Sequence, residues 1–95
     1  MNLPKITHLQ YLAMALLKNG QLRAEDLRRK FLAAGAGNRS LPAFYQFMGR
    51  LENEGYISAR RRQLKNGHFQ TTYRLLKKGQ DIMKSTVDFY VGWAA

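Results

Sequence analysis

One segment of the sequence, residues 40–55, has the marks of a helix with two unlike faces. Ser40 is a residue type that caps helix N-termini, a proline follows in the first turn, where its missing N–H does no harm, and Gly55 is suited to end a helix in a left-handed conformation. We therefore expect a helix over 40–54. Its apolar side chains share one face at helical spacing, which predicts that this face is buried. They are Phe44, Met48 and Leu51.

The opposite face of this helix is followed by a strongly basic segment. That face carries Arg39, Ala43, Gln46 and Arg50. From Gly55 to Gln80 the sequence has no Asp or Glu and seven Arg or Lys, and the whole chain has a net charge of +10. Solvated surfaces ordinarily mix both signs, because like charges repel one another. The concentrated positive charge therefore favours a polyanionic partner.

Length and composition limit the class of protein. The 95 residues are enough for one hydrophobic core, so we expect a single domain over 1–95. Hydrophobic residues make up 45% of the chain, which is typical of a globular fold and not of a disordered basic tail. Cysteine is absent, which excludes disulfides and fits a cytoplasmic protein. There is no secretory signal and no run of roughly 20 apolar residues, so we expect a soluble protein without a membrane partner.

The residue types needed for catalysis are scarce. His8 and His68 are the only histidines, and no nucleophile, base and orienting group can be assembled around them. The acidic pair Glu25 and Asp26 falls in the first turn of a predicted helix, where negative charge complements the helix dipole. We expect neither an enzyme nor a bound metal or cofactor.

Hydrophobic periodicity predicts two helices before the 40–54 helix. The first spans about residues 8–18 and the second 24–34, with a connector at 21–23 that can form a brief strand. The glycine-rich segment 35–38 is the turn that leads into the third helix.

The third helix is followed by a predicted hairpin. Two β-prone runs, 56–64 and 69–75, flank Asn66-Gly67, a strong signal for a short turn. A tight two-residue turn there would place Ile57 and Tyr73, both apolar in character, on opposite faces. We therefore expect a bulge or a longer loop that corrects the register. A last helix, over 80–95, carries a broad apolar stripe that we expect to be covered.

The predicted order is helix, brief strand, helix, helix, strand, strand, helix. A mostly α chain with a small β-hairpin in this order, of the α+β class, is a winged helix-turn-helix. The 40–54 helix then occupies the position of the recognition helix, and the basic hairpin 56–75 is the wing.

The sequence resembles the PadR-like transcriptional regulators over roughly residues 5–83. The third-helix pattern of that family is matched in order and without a gap by Ser40, Phe44-Tyr45, Met48, Arg50-Leu51-Glu52, Gly55 and Tyr56-Ile57. The wing-exit pattern looks like Tyr73-Arg74-Leu75 followed by Gly79. The more distant MarR-type regulators share parts of both patterns. The resemblance implies a winged-helix regulator that binds double-stranded DNA, and it implies that Tyr45 contacts the DNA backbone.

A DNA-binding chain of this kind would place the third helix in the major groove. The side chains expected to face base edges and flanking phosphates are Arg39, Ala43, Gln46, Phe47 and Arg50. Gln46 and Arg50 are the predicted sequence readers, because Gln can bind adenine and Arg can bind guanine bidentately. Ser40 either caps the helix or holds a phosphate, and Phe47 either contacts a thymine methyl group or packs inside.

The wing would contribute contacts to the phosphate backbone and the minor groove. The predicted residues are Arg60, Arg61, Arg62, Lys65, His68 and Gln70. Because side chains alternate along a strand, we expect two of the three arginines to reach DNA and the third to be solvated.

We expect a homodimer that represses transcription from a pseudo-palindromic site. Dimerisation would use Phe89, Tyr90, Val91 and Trp93, together with the first helix. The two aromatic rings at 89 and 93 could also frame a small, flat, apolar effector.

Two other readings of the sequence remain open. The domain could be a protein–protein interaction module that docks through its last helix, although the basic wing argues against this. It could also bind nucleic acid or an anionic surface without sequence preference, for which charge alone suffices. Sequence preference distinguishes that binder from a repressor.

Overall fold

The computed structural model describes residues 3–94. Its elements, in chain order, are α1 (His8–Leu16), β1 (Leu22–Arg23), α2 (Ala24–Ala33), α3 (Leu41–Asn53), β2 (Ile57–Gln63), β3 (Phe69–Leu75) and α4 (Lys77–Ala94). The strands form one antiparallel sheet in the order β1-β3-β2. The α+β winged helix-turn-helix predicted from the sequence is confirmed. The last helix begins at Lys77, three residues before the predicted start, and Ala95 lies outside the described residues.

The ends of α1 and α3 are fixed by side-chain caps. Thr7 accepts a hydrogen bond from the Gln10 N–H at 3.1 Å, and the Gln10 side chain accepts one from the Thr7 N–H at 2.9 Å. At α3 the Ser40 hydroxyl accepts a hydrogen bond from the Ala43 N–H at 3.3 Å. Such caps satisfy N–H groups that have no partner inside the helix. Gly55, with φ +80°, ends the third helix as the sequence predicts.

The wing turn is longer by one residue than a tight two-residue turn. The Leu64 N–H donates to the His68 carbonyl at 2.7 Å, and Gly67, with φ +85°, donates to the Leu64 carbonyl at 3.0 Å. This three-residue loop with glycine in the left-handed region shifts the strand register. Ile57 then pairs with Leu75 on the face that also carries Tyr73. The expected correction of the register is confirmed.

One hydrophobic core lies between the four helices and the inner face of the sheet. Its largest fully buried side chains include Phe31 of α2, Phe44 of α3 and Tyr73 of β3. Phe44 is 6.1 Å from Phe31 and 6.5 Å from Tyr73 between ring centroids, the latter in an edge-on arrangement. Aromatic pairs at these separations add to the stabilisation that burial provides. The core thus holds α3 between α2 and the wing.

We predict opposite stability changes at two helical glycines. An added methyl group at the buried Gly79 would overlap the Tyr56 carbonyl oxygen and lie 2.7 Å from Leu75 Cδ1. Gly79→Ala should therefore lower the free energy of unfolding by about 1–3 kcal/mol in urea titrations. At Gly49, in α3, the same methyl group meets no atom within 4 Å. Gly49→Ala, the matched control, should raise stability by about 0.5–1 kcal/mol through helix propensity. Equal effects at both sites would contradict this packing.

Candidate nucleic-acid interface

The outward face of α3 presents a short polar surface. Gln46 and Arg50 are exposed on it, and Tyr45 is 40% exposed at its edge. Ala43 is half-buried on the same side. Ala43, Gln46 and Arg50 lie on the face that the sequence predicted to make contacts, and Tyr45, whose contact the resemblance implies, lies beside them. Sequence reasoning missed Gly49, which follows Gln46 by three residues and leaves the middle of this surface without a side chain.

Phe47 is not part of that surface. Its side chain is 8% exposed, and its ring centroid lies 5.3 Å from that of Phe31 in α2. The predicted groove-facing position is therefore wrong, and of the two interpretations left open the structure favours packing. Phe47 lies one residue, or about 100°, further round the helix than Gln46, and that step brings it under the neighbouring α2.

Arg39 does not lie on the exposed face of α3 with Gln46 and Arg50, where the sequence predicted it. Its guanidinium carbon lies 5.2 Å from the centroid of the Phe47 ring and 5.9 Å from that of Phe31. The residue precedes the Ser40 cap, so its backbone lies outside the helix and helical spacing does not apply to it. The Arg39 side chain accordingly covers the contact between α2 and α3. The hydroxyl of Ser40 serves as the helix cap.

The three wing arginines separate by strand alternation, as predicted. Arg60 and Arg62 pair with Thr72 and Gln70 on the outer face of the sheet, whereas Arg61 pairs with Thr71 on the inner face. Arg61, the third arginine, is solvent-exposed as expected, and it also contacts α3. Arg61 Nη2 donates to Glu52 Oε1 of α3 at 3.3 Å, and this hydrogen bond, together with the Glu52 charge, raises the pKa of the Arg61 guanidinium.

The wing tip carries exposed polar groups and one exposed ring. Lys65 and His68 are exposed, and Gln70 is half-buried. Phe69 is 68% exposed, a feature that sequence reasoning missed. It lies on the same sheet face as Arg61, but at the far end of the strand, beyond the cover of the helices. The strand pattern identifies its face and gives no indication of how far the helices extend.

The charges of the described residues are distributed unevenly. The carboxylates of Asp26, Asp81 and Asp88 are each within 3.2 Å of a basic side chain of the same region. For Asp26, a hydrogen bond from Arg23 is the main cause that lowers its pKa. By contrast, four exposed cations of α3 and the wing form no ion pair within residues 3–94. These are Arg50, Arg60, Arg62 and Lys65.

The second half of α4 is only partly covered. Phe89 is half-buried, its ring 5.3 Å from that of Tyr90 and 6.2 Å from that of Trp93. Tyr90, Val91 and Trp93 are 61%, 59% and 72% exposed. A groove of about 580 Å³ between α1 and α4 is lined by apolar side chains that include Ile6, Tyr11, Val87, Tyr90 and Val91.

Two further observations concern the described residues alone. No helix within residues 3–94 combines the length and the apolarity needed to cross a membrane. The same part of the chain contains no group of three His, Asp or Glu side chains that could hold a metal ion.

Comparison with known proteins identifies the fold. No protein-family model matches the chain, and no curated protein matches it. Among solved structures, a PadR-like transcription factor from Bacteroides fragilis gives a TM-score of 0.78 at 22% identity, covering 92% of this chain and 84% of that one. A PadR family transcription regulator from Clostridium difficile gives a TM-score of 0.71 at 13% identity, covering 93% of this chain and 92% of that one. Bacillus subtilis PadR in complex with operator DNA gives a TM-score of 0.70 at 22% identity, covering 85% of this chain and 48% of that one.

At these identities the similarity demonstrates a shared fold. The chain has the winged helix-turn-helix fold of PadR-family transcriptional regulators, and it spans about half the length of the Bacillus subtilis protein. The resemblance predicted from the sequence motifs is confirmed at this level. The roles of individual side chains stay predictions.

We predict that the Arg61–Glu52 ion pair couples the wing to α3. In a double-mutant cycle of Glu52→Gln and Arg61→Gln, urea unfolding should give a coupling free energy of about 0.5–1 kcal/mol, as expected for a partly exposed pair. The coupling should fall in 1 M NaCl because salt screens the charges. A coupling of zero at low salt would contradict the contact.

Proposed function

We propose that this protein is a sequence-specific transcriptional repressor that binds double-stranded DNA. The observation that carries the proposal is the exposed pair Gln46 and Arg50 on a capped helix beside a wing with unneutralised cations. In this proposal α3 lies in the major groove, which is wide enough to admit a helix. The wing follows the adjacent backbone and minor groove, and binding excludes other proteins from the promoter.

The two kinds of contact have different consequences. Gln46 can bond to adenine and Arg50 to guanine, each with about 1–3 kcal/mol of base discrimination. Of the six predicted wing contacts, the exposed cations Arg60, Arg62 and Lys65 neutralise phosphates and supply affinity without sequence preference. Gly49, between the two reading side chains, lets the helix backbone approach the groove closely.

Two features support DNA as the partner. The fold is shared with Bacillus subtilis PadR, whose structure is described as a complex with operator DNA. The net charge of +10 suits a polyanion, and the exposed cations Arg50, Arg60, Arg62 and Lys65 of α3 and the wing form no ion pair within residues 3–94. A chromosomal DNA target also accounts for the expected location in the cytoplasm.

We also propose that the protein acts as a homodimer. The exposed apolar side chains Val87, Tyr90 and Val91 line the groove between α1 and α4, which a second copy of α4 can fill. A two-fold axis near α4 gives two copies of α3 and hence a pseudo-palindromic operator. Phe89 and Trp93 belong to the same proposed interface, where they could also frame a small apolar effector.

The function is tested by selection from a random-sequence duplex pool, followed by binding measured across a salt series. A repressor should enrich a pseudo-palindrome. If about six phosphates are neutralised, log K should fall against log salt with a slope near −5. A steep slope without enrichment would instead identify a non-specific nucleic-acid binder, and no binding at moderate salt would favour a protein interaction module.

We predict that two cationic residues differ in their effect on specificity. Arg50→Ala should weaken binding to the selected operator by about 1–3 kcal/mol and leave binding to random DNA less affected, because it removes a base contact. Lys65→Ala, the matched control, should weaken both about equally and reduce the salt slope by about 1. Fluorescence anisotropy on both duplexes measures the difference. Equal losses of affinity on the two duplexes for Arg50→Ala would show that Arg50 does not read a base.

We predict that Val91→Asp yields a monomer, because a buried carboxylate without a partner is costly to bring into an apolar interface. Sedimentation velocity should then give the mass of one chain, and affinity for the full operator should fall toward that for a half-site. Ser85→Asp, on an exposed polar part of α4, provides the control. A Val91→Asp protein that stays dimeric would exclude this interface.

A further inference from the structure

Two arginines meet where α2 leads into α3. Arg28 is in the middle of α2, and its Nη2 donates to the Arg39 carbonyl oxygen at 2.5 Å. Arg39 itself immediately precedes the Ser40 cap of α3. The hydrogen bond therefore connects α2 to the chain just ahead of the proposed recognition helix.

The Arg39 guanidinium is held by aromatic rings. It lies within cation–π distance of both Phe31 and Phe47, the rings that join α2 to α3. A planar guanidinium that rests on aromatic faces is fixed in orientation, which reduces the entropy lost when it binds a ligand. Arg28 and Arg39 are thus positioned before any partner arrives.

The charge at this junction has no counterion among the described residues. Neither Arg28 nor Arg39 forms an ion pair within residues 3–94, and the Nε atom of each is buried without a hydrogen-bond acceptor. The adjacent acidic group, Asp26, is engaged by Arg23 and Arg29. Partly desolvated positive charge is costly unless an anion neutralises it.

We propose that Arg28 and Arg39 form a phosphate-binding site at the start of α3, which a backbone phosphate of the bound DNA occupies. Guanidinium groups suit this ligand because their N–H groups match the oxygen geometry of a phosphate. The N-terminal end of α3 adds its partial positive charge next to the site. This inference rests on the proposed function. It assigns Arg28 a role that the sequence did not indicate, and it assigns Arg39 to a flanking phosphate, one of the two kinds of contact expected for it from the sequence.

The site predicts losses of affinity that do not depend on DNA sequence. Arg28→Ala and Arg39→Ala should each weaken binding about tenfold on the selected operator and on random DNA alike, with the salt slope reduced by about 0.9 per variant. Arg28→Lys and Arg39→Lys keep the charge and lose the planar fork, so they should recover only part of the affinity. Arg29→Ala, which removes an equal charge from an exposed neighbour, should lose less than twofold.

A second measurement tests the site without DNA. Because their Nε atoms are buried, the Arg28 and Arg39 Hε protons should give observable NMR signals. Titration with inorganic phosphate should shift both along one saturating curve and leave the backbone amide signal of the exposed Arg29 in place. Arg39→Lys, checked for folding by circular dichroism, should abolish or weaken the Arg28 shift.

The outcomes separate this inference from the proposed function. Normal DNA binding by folded Arg28 and Arg39 variants would overturn the phosphate site and leave the repressor proposal standing. If the wild-type protein binds no duplex, the proposed function fails. The phosphate titration is then the only test of the Arg28 and Arg39 site. Equal shifts at all arginines, or none at Arg28 and Arg39, would then reject it.

Discussion

The aromatic contact between α2 and α3 determines how α3, the proposed recognition helix, is presented. Phe31 packs against both Phe44 and Phe47, at 6.1 and 5.3 Å between ring centroids. Because the two α3 rings are three residues apart, contact with a single ring of α2 fixes the rotation of α3 about its axis. That rotation brings Gln46 and Arg50 to the outside. Loss of the contact would free α3 to turn and would disperse the proposed reading surface.

The charges follow from the same arrangement. Carboxylates neutralise basic side chains on α2 and α4, whereas α3 has its one ion pair within the described chain at Glu52, whose partner is Arg61 of the wing. That pair joins the two surfaces that the proposed function uses. The remaining cations of the wing and of the α2–α3 junction are left for an external anion. In the proposed complex, a polyanion completes the electrostatic balance that the described residues leave open.

Local rules predicted most of the fold. Caps, glycine positions and hydrophobic spacing identified α3 and its buried face, and the mismatch of Ile57 and Tyr73 correctly indicated a longer turn in the wing. Phe47, predicted to face the groove, is buried, and Arg39 lies against two aromatic rings. Both features depend on where α2 lies against α3. Arg61 likewise depends on Glu52, nine residues earlier. Helical and strand periodicity describe one element at a time, so they could not predict contacts between elements.

Cross-linking of α3 to the major groove tests the central claim most directly. The chain contains no cysteine, so Gln46→Cys introduces a unique thiol on the proposed reading face. The partner is an operator duplex with a thiol tethered to the major-groove edge of one base, under redox-buffered equilibrium. We predict a disulfide at a defined base position for Gln46→Cys and none for the exposed control Ser85→Cys on α4. Cross-linking through Ser85→Cys, with none from position 46, would contradict the account.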